Sequence, residues 1–458
     1  MSHLTRVQPP DLLAHELVAS AEDGKEVDDL RRRWEAAGGQ STAPHDGLGQ
    51  QGDAALRALA AELLDELARR ELPPALALRE PDELDAIEAT RSAPPRRSGL
   101  GAQGPSRSGH GLDDRLLGAW TGRAAGCLLG KPVEKIPRQG IREILQSQGR
   151  WPLRDWFTAA GLPDDVAARW PWNRRSASTS LAENIDGMPE DDDLNFALLA
   201  LRVLEASGRD FTTEDVAAAW LADLPGGRVF TAERVAYRNL LLGESAPRTA
   251  TLNNPYREWI GAQIRTDVYG WVNPGEPAVA AAYAWRDARL SHVRSGLYGA
   301  MCVAALCAQA VVSDDVGDVL EAGLSVVPPR SRYAAALSFG TEVAASDLDT
   351  EQSLDELGRR YGHLHWVHSL NNAALMAFAL ARSQGDFGEA VALAVTGGWD
   401  TDSVGATVGS VCGGLAGFRK LPTRWTDPLA DRLASSLPGC DGAAFTELAS
   451  RTARLVLR

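Results

Sequence analysis

Two aspartates with hydroxyl-bearing neighbours lie near the C-terminal end of the chain, in the run Gly398-Trp399-Asp400-Thr401-Asp402-Ser403. Positions i and i+2 of an α-helix lie about 200° apart, so Asp400 and Asp402 can converge only from a loop that turns into a helix. Oxygen ligands gathered at such a point suit a hard cation such as Mg²⁺. A simple cap of a buried helix is the alternative interpretation, and this motif alone does not decide between them.

A second acidic cluster consists of Glu190, Asp191, Asp192 and Asp193, and it runs directly into an apolar stripe with helical spacing. Acidic residues are favoured at the positive end of a helix dipole. One cap and one acid in the first turn would satisfy that preference, whereas four consecutive carboxylates repel one another unless a cation is present. The acidic cluster is therefore compatible with two interpretations, a metal site and an ordinary helix N-terminus.

The elements that must position these acids include two helices with glycine at every fourth residue. The series Gly118 to Gly130 and Gly405 to Gly417 each contain four such glycines. Each glycine destabilises a helix by about 1 kcal/mol relative to alanine. We therefore expect a compensating gain from close backbone approach, with the two ridges at the centre of one bundle, where packing against each other is one arrangement. Pro132 ends the first ridge and leaves Glu134 in a loop.

The remaining sequence predicts an all-α protein, since alternating strand-like runs are almost absent. Residues 1–90 contain short amphipathic helical stripes and are expected to form an N-terminal helical extension. Residues 91–111 are rich in Gly, Pro, Ser and Arg, a composition typical of a flexible linker. Residues 112–458 hold both acidic motifs and are expected to form the functional domain.

Composition narrows the function classes and the compartment. The chain has 458 residues, 44% of them hydrophobic, so it can bury a large core. Its net charge of −14 argues against nucleic-acid binding, which requires a basic face. The five cysteines form no C-x-x-C pair and are expected to be buried reduced thiols. No secretory signal and no apolar run of about 18 residues is found, so we predict a cytoplasmic protein without a membrane span, most simply a monomer.

Three histidines, His363, His365 and His368, could form a transition-metal site. On a helix only His365 and His368 would share a face, and no nearby Cys or Glu completes a zinc ligand set. The alternative is packing or the wall of an aromatic pocket.

Taken in order, three motifs resemble those of the ADP-ribosylglycohydrolases. Gly126 to Glu134 looks like the family's glycine-rich helix that ends in G-x-P-x-E. Glu190-Asp191-Asp192 looks like its Thr-Asp-Asp metal motif, and Gly398 to Ser403 looks like its G-x-D-T-D-[ST] motif. The resemblance covers roughly residues 112 to 420. It implies an orthogonal all-α bundle around a central site for two Mg²⁺ ions, or Mn²⁺ in their place.

The same resemblance implies the reaction, which is metal-dependent hydrolysis of the glycosidic bond between ADP-ribose and a protein side chain or a small acceptor. It assigns catalytic roles to Glu134, Asp192 and Asp400. It implies metal ligation by Glu190, Asp191, Asp192, Asp400, Asp402 and Ser403. Candidates for substrate binding, chosen on loop position, are His292, Asn273, Tyr298, His368 and Asn372. Alternatives are a hydrolase of another ribosyl or phosphate ester substrate, and a non-catalytic ADP-ribose-binding protein.

Three positions depart from the family pattern. Cys127 stands where the family has aspartate, Glu190 stands where it has threonine, and Asp193 adds a further acid. These changes leave the acceptor that carries ADP-ribose open.

Overall fold

The computed structural model describes residues 7–44, 53–91, 109–173 and 176–456, with no side-chain description at 109 and 110. The prediction of an all-α bundle is confirmed. Within the described ranges, extended pairing is limited to isolated bridges that join Met188 to Leu433, Trp259 to His368, and Leu433 to Ala443. Most of the predicted linker, residues 92–108, lies outside the described part of the chain.

The N-terminal residues form five helices whose apolar stripes face inward. Leu12, Leu13 and Leu17 are fully buried, and so are Leu63 and Leu67. The helices are α1 (Pro9–Glu22), α2 (Asp28–Ala36), α3 (Ala54–Arg69), α4 (Pro74–Arg79) and α5 (Leu84–Ala89).

The larger part of the chain follows as nineteen further α-helices, joined by short loops and 3-10 turns within the described residues. They are α6 (Gly109–Gly130), α7 (Arg138–Ser147), α8 (Asp164–Arg169), α9 (Ala177–Ser180), α10 (Asp192–Ser207), α11 (Thr213–Asp223), α12 (Thr231–Leu241), α13 (Arg248–Thr251), α14 (Asp267–Trp271), α15 (Pro277–Ala288), α16 (Arg294–Ala310), α17 (Val316–Ser325), α18 (Arg332–Ala345), α19 (Thr350–Tyr361), α20 (Ser369–Arg382), α21 (Phe387–Thr396), α22 (Thr401–Ala416), α23 (Thr423–Thr426) and α24 (Phe445–Val456).

Helices α6 and α22 pack directly against each other along their glycines, as the spacing predicted. A Cβ atom on Gly118, Gly122 or Gly126 would lie within 3.0 Å of the backbone of Gly413, Gly409 or Gly405, and the reverse holds for the glycines of α22. Real Cβ contacts are essentially never that short. This glycine seam brings two backbones together at the centre of the bundle and thereby joins the C-terminal end of α6 to the N-terminal end of α22.

The N-terminal helices dock on the larger part through buried ion pairs. Asp23 lies 2.9 Å from the guanidinium of Arg257 and 2.7 Å from that of Arg294. Glu16 lies 2.8 Å from Arg257, and Glu80 lies 2.8 Å from Arg332. Because these acids belong to the first 91 residues and the arginines to the rest, the two parts share a buried electrostatic interface.

Two other expectations concern the thiols and the membrane. All five cysteines are free and buried, which confirms that prediction. Among the described residues, no helix combines the length and the apolar character that a bilayer crossing requires.

Candidate active site

The end of α6 places Glu134 beside the glycine seam. A 3-10 turn, Lys131–Val133, contains Pro132 and directs the chain out of the helix into Glu134. The carboxylate Oε2 of Glu134 accepts a hydrogen bond of 2.6 Å from Asn173 Nδ2, and Oε1 lies 3.3 Å from Lys135 Nζ. Glu134 is therefore a partly buried carboxylate held by two neighbours.

The second acidic motif forms the N-terminus of α10. Asp191 is the N-cap residue, and its Oδ1 accepts a hydrogen bond of 2.9 Å from the backbone N–H of Asp193. Asp193 is buried in the first turn, where the guanidinium of Arg123 donates 2.8 Å to its backbone carbonyl. Asp191, Asp193 and the Cys127 thiol on α6 bring ligand atoms within 4.8 Å of one another.

Glu190, which the sequence suggested as a metal ligand, faces a different set of partners. Its Oε1 accepts 2.9 Å from Asn195 Nδ2, and its Oε2 lies 3.0 Å from Arg228 Nη1. Because Asp191 is the N-cap, Asp191, Asp192 and Asp193 lie together at the start of α10, and Glu190 precedes the cap by one residue.

The third motif begins α22 after a sharp reversal of the backbone. Gly398 and Trp399 both have positive φ, 78° and 62°, and a left-handed conformation is costly for a bulky residue such as Trp399. Thr401 Oγ1 then donates 2.9 Å to the carbonyl of Gly130 at the end of α6. The backbone N–H of Asp400 donates 3.2 Å to Asn372 Oδ1. Asp400 makes no side-chain cap bond, so helix capping does not account for its carboxylate.

The motifs meet through a direct contact between α10 and α22. Ser403 Oγ donates a hydrogen bond of 3.2 Å to Asp193 Oδ2. Asp402 lies one residue away, and its Oδ1 accepts 3.1 Å from the backbone N–H of Ser403. Acids that are far apart in the sequence thus lie at one end of the glycine seam.

Most carboxylates of this cluster have raised pKa values. Burial is the main cause of the pKa of Asp192 lying well above its ordinary value, followed by the charges of Asp191 and Asp402. Burial also raises the pKa of Asp400 strongly, and Asp402 adds to that shift. Burial and the charge of Asp402 raise the pKa of Glu134 to about 7. Within the described residues, the neighbouring cationic side chains therefore compensate only part of the negative charge of these carboxylates.

This chemistry fits a hard divalent cation. The side chains supply carboxylate and hydroxyl oxygens, which Mg²⁺ and Mn²⁺ prefer. A cation among them would offset both the desolvation and the mutual repulsion that raise these pKa values. We therefore take the acidic cluster as a candidate metal centre.

Of the five suggested substrate-binding residues, Asn372 lies next to this centre, and His368 belongs to the loop that Asn372 holds, with its Nε2 3.8 Å from Glu22 of α1. Asn372 accepts from Asp400 and donates 2.8 Å to the carbonyls of Trp366 and His368. His368 is the N-cap of α20, where its Nδ1 accepts 3.1 Å from the N–H of Leu370. Burial lowers the pKa of His368 to about 4, so its imidazole is neutral at physiological pH. Both side chains hold the loop that precedes α20.

The other three candidates have partners elsewhere in the fold. Asn273 accepts from Arg209 and donates 2.9 Å to the carbonyl of Tyr269. His292 Nδ1 lies 2.8 Å from Ser291 Oγ in a buried cluster around Arg265. The hydroxyl of Tyr298 donates 2.6 Å to the carbonyl of Pro81 in the N-terminal part. These contacts tie each of the three side chains to a neighbouring segment of the fold.

The structure adds residues that the sequence did not single out as part of the site. Asn173 holds Glu134, and the partly exposed ring of Trp366 lies 5.7 Å from Lys135 Nζ. His365, of the histidine group, stacks on Trp259 with ring centroids 4.2 Å apart. Lysine is rare in this chain, which has only four, and two of them, Lys131 and Lys135, flank Glu134. This spacing is a sequence signal that lysine belongs to the site.

Fold and site together define an all-α protein with an acidic centre at the junction of two glycine-packed helices. The ADP-ribosylglycohydrolase family model matches residues 108–457, well over half of the chain. The chain belongs to the ADP-ribosylglycohydrolase family, whose members are glycoside hydrolases.

Two similar proteins extend this comparison. An uncharacterized protein of Archaeoglobus fulgidus is 26% identical over 323 residues, which span 70% of this chain and 93% of that protein. A solved structure described as an ADP-ribosylglycohydrolase-related protein complex is 22% identical, with a TM-score of 0.48, and covers 76% of this chain and 98% of its own.

Proposed function

We propose that this protein hydrolyses the glycosidic bond between ADP-ribose and a protein side chain or a small acceptor, with Mg²⁺ or Mn²⁺ as the cofactor. The observation that supports this most directly is the contact of Ser403 with Asp193. It brings two acidic motifs together beside Glu134, whose pKa is raised by burial and by the charge of Asp402.

The residues that would hold the cofactor are Asp192, Asp400 and Asp402, with Ser403, Asp191 and Asp193 around them. When bound, the cation supplies Lewis acidity and, by lowering the pKa of water, a nucleophile at neutral pH. Glu190 is left out of this proposed set because its carboxylate faces Arg228 and Asn195.

Glu134 is proposed to accept the proton of the attacking water. A general base must be ionised, and a cation bound at the neighbouring aspartates would offset the repulsion that raises the pKa of Glu134 and so favour its carboxylate form. Asn173 and Lys135 fix the carboxylate by contacting one oxygen each. The surrounding aspartates would also stabilise the positive charge that develops at the anomeric carbon in an oxocarbenium-like transition state.

The test offers the purified protein ADP-ribose linked to arginine, to serine and to acetate, with Mg²⁺ or with EDTA. We expect release of free ADP-ribose from at least one conjugate, and its loss with EDTA and in Asp400→Asn. The exposed Asp164→Asn serves as the control for a surface aspartate and should keep full turnover. Failure to cleave all three, binding of ADP-ribose without cleavage, or undiminished turnover in Asp400→Asn would overturn the proposal.

A further inference from the structure

A lysine ammonium lies inside the acidic cluster. Lys131 follows the last residue of α6 and is only 8% exposed. Its Nζ contacts Asp191 Oδ2 and lies 3.4 Å from the backbone carbonyl of Glu190. Burying an ammonium ion is costly unless it is paired with an opposite charge. The contact with Asp191 supplies that charge and so stabilises the buried position of Lys131.

Asp191 is correspondingly occupied by donors from the protein. Its Oδ1 accepts from the backbone N–H of Asp193, and its Oδ2 accepts from Lys131. Although burial alone would raise its pKa, the charge and hydrogen bond of Lys131 lower it, with contributions from the Asp193 N–H and the Cys127 thiol. Asp191 thus differs from Asp192, because both oxygens of Asp191 accept hydrogen bonds from the protein and its charge is compensated by Lys131.

The other acids divide into two groups. Asp193 lies 3.5 Å from Arg123, whose guanidinium also binds Asp267 at 2.8 Å. By contrast, Asp192, Asp400 and Asp402 contact no cationic side chain in the described part of the chain. Three carboxylates that have no cationic partner suffice for one divalent ion, which completes its shell with water.

We propose that the Lys131 ammonium takes the place of a second divalent ion, so that this chain binds one metal ion at Asp192, Asp400 and Asp402. This inference rests on the metal centre of the proposed function, and it narrows the two ions implied by the sequence motifs to one. The ammonium of Lys131 is part of the chain and cannot dissociate, so it compensates the charge of Asp191 without a metal ion.

The experiment counts Mn²⁺ ions by electron paramagnetic resonance during titration of the metal-free protein, without any substrate. The wild-type chain is expected to bind one Mn²⁺. Lys131→Met keeps an unbranched stem but removes the charge, which frees Asp191 and should raise the count to two. Lys131→Arg keeps the charge and should stay at one, and Lys420→Met, at an exposed position, controls for the change in net charge and should also stay at one.

Circular dichroism shows whether each variant is folded, and the wild-type count alone tests the proposal if Lys131→Met does not fold. Two ions in the wild-type chain, or one ion in folded Lys131→Met, would overturn the role of Lys131. No ion in the wild-type chain would overturn the metal centre itself, and with it the proposed function. The ion count does not depend on turnover. A wild-type chain that binds one ion but cleaves none of the three conjugates would therefore contradict the proposed function and leave the role of Lys131 intact.

Discussion

The carboxylate of Glu134 combines an acidic neighbourhood with a hydrogen bond from Asn173 and an ion pair with Lys135. In Glu134→Gln the amide keeps the size of the side chain but cannot accept a proton. We expect kcat to fall by about 10² to 10⁴-fold, the usual contribution of a general base. Mn²⁺ binding should be unchanged, as measured by the same titration. Equal loss of metal and turnover would instead make Glu134 a ligand.

The raised pKa of Glu134 predicts how the metal-free protein responds to pH. The folded-state pKa of about 7 lies above the ordinary 4.5, so between these values the folded chain holds a proton that the unfolded chain releases. Stability of the metal-free protein should therefore fall as the pH rises from about 5 to 7. Thermal unfolding across this range measures the slope.

The matched variant for that measurement is Glu134→Gln, which removes one titrating group and should reduce the slope, while Asp192 and Asp400, whose pKa values are also raised by burial, keep their contributions. Added Mg²⁺ at pH 7.5 should restore the unfolding midpoint of the wild-type chain. A midpoint that is independent of pH in the metal-free wild type would contradict this interpretation.

The positions of Asp192 and Glu190 predict opposite outcomes for two similar substitutions. Asp192→Asn should weaken Mn²⁺ affinity by at least about tenfold, because it removes a charged ligand from a buried site. Glu190→Gln should leave the affinity within about twofold, since that carboxylate pairs with Arg228. Isothermal titration with Mn²⁺ compares them, and the reverse order would return Glu190 to the ligand set.

At the scale of single residues, sequence reasoning located the acidic motifs but could not define their register. Four consecutive acids, Glu190 to Asp193, allow either Glu190 or Asp191 to start the helix, and a shift by one residue rotates each side chain by about 100°. Polar loop residues such as Asn273, His292 and Tyr298 were ambiguous for another reason. Arg209 at Asn273, Pro81 at Tyr298, and Arg265 at the Ser291–His292 pair are brought in by tertiary packing that no local pattern encodes.

At the scale of elements, the glycine seam between α6 and α22 positions the site. Gly126→Ala would place a methyl group into the backbone of Gly405. We expect destabilisation of about 1–3 kcal/mol, the range for overpacking, although alanine favours the helix. Chemical denaturation measures the change.

The control for this substitution is Gly358→Ala in α19, where a new Cβ would have no heavy atom within 4 Å. It should stabilise the protein by about 0.5–1 kcal/mol through helix propensity alone. Equal effects of the two substitutions would show that the seam tolerates side chains.

The seam is also the element that the sequence predicted best. A period of four along two helices specifies a contiguous glycine face, and each face has a physical use only if another backbone approaches it. Helix existence followed from periodicity, whereas helix ends were less accurate. For example, α16 begins at Arg294, which takes an unusual backbone φ of 41° that no spacing rule encodes.

At the scale of the whole molecule, the first 91 residues contribute acids to a buried interface. Asp23 contacts Arg257, Arg294 and Arg332 at 2.9, 2.7 and 3.7 Å. Asp23→Asn removes one carboxylate from this cluster, while Arg257, Arg294 and Arg332 keep Glu16, Glu258 and Glu80 as partners. We therefore expect a loss of about 1–3 kcal/mol of unfolding free energy, the range for removing one buried hydrogen-bonding partner of a charged group.

The comparison for Asp23→Asn is Glu62→Gln, which removes an exposed pair with Arg33 within the N-terminal helices and should change stability by less than about 1 kcal/mol. Denaturant unfolding followed by circular dichroism measures both. A loss below 1 kcal/mol in Asp23→Asn would show that the interface does not depend on this carboxylate.

The glycine seam limits how the two halves of the site can be misaligned. It contains no side-chain torsions, so a sliding motion of α6 along α22 cannot be absorbed by changes of rotamer. The next arrangement that fits glycine to glycine lies a full four-residue period away, which is about 6 Å along the axis. Such a step would separate Glu134 from Asp402 completely. Glu134 and the acids therefore either keep their relative position or lose it in a single step. The glycine-to-glycine contact allows no intermediate register in which helix sliding would cause a partial loss of catalytic geometry.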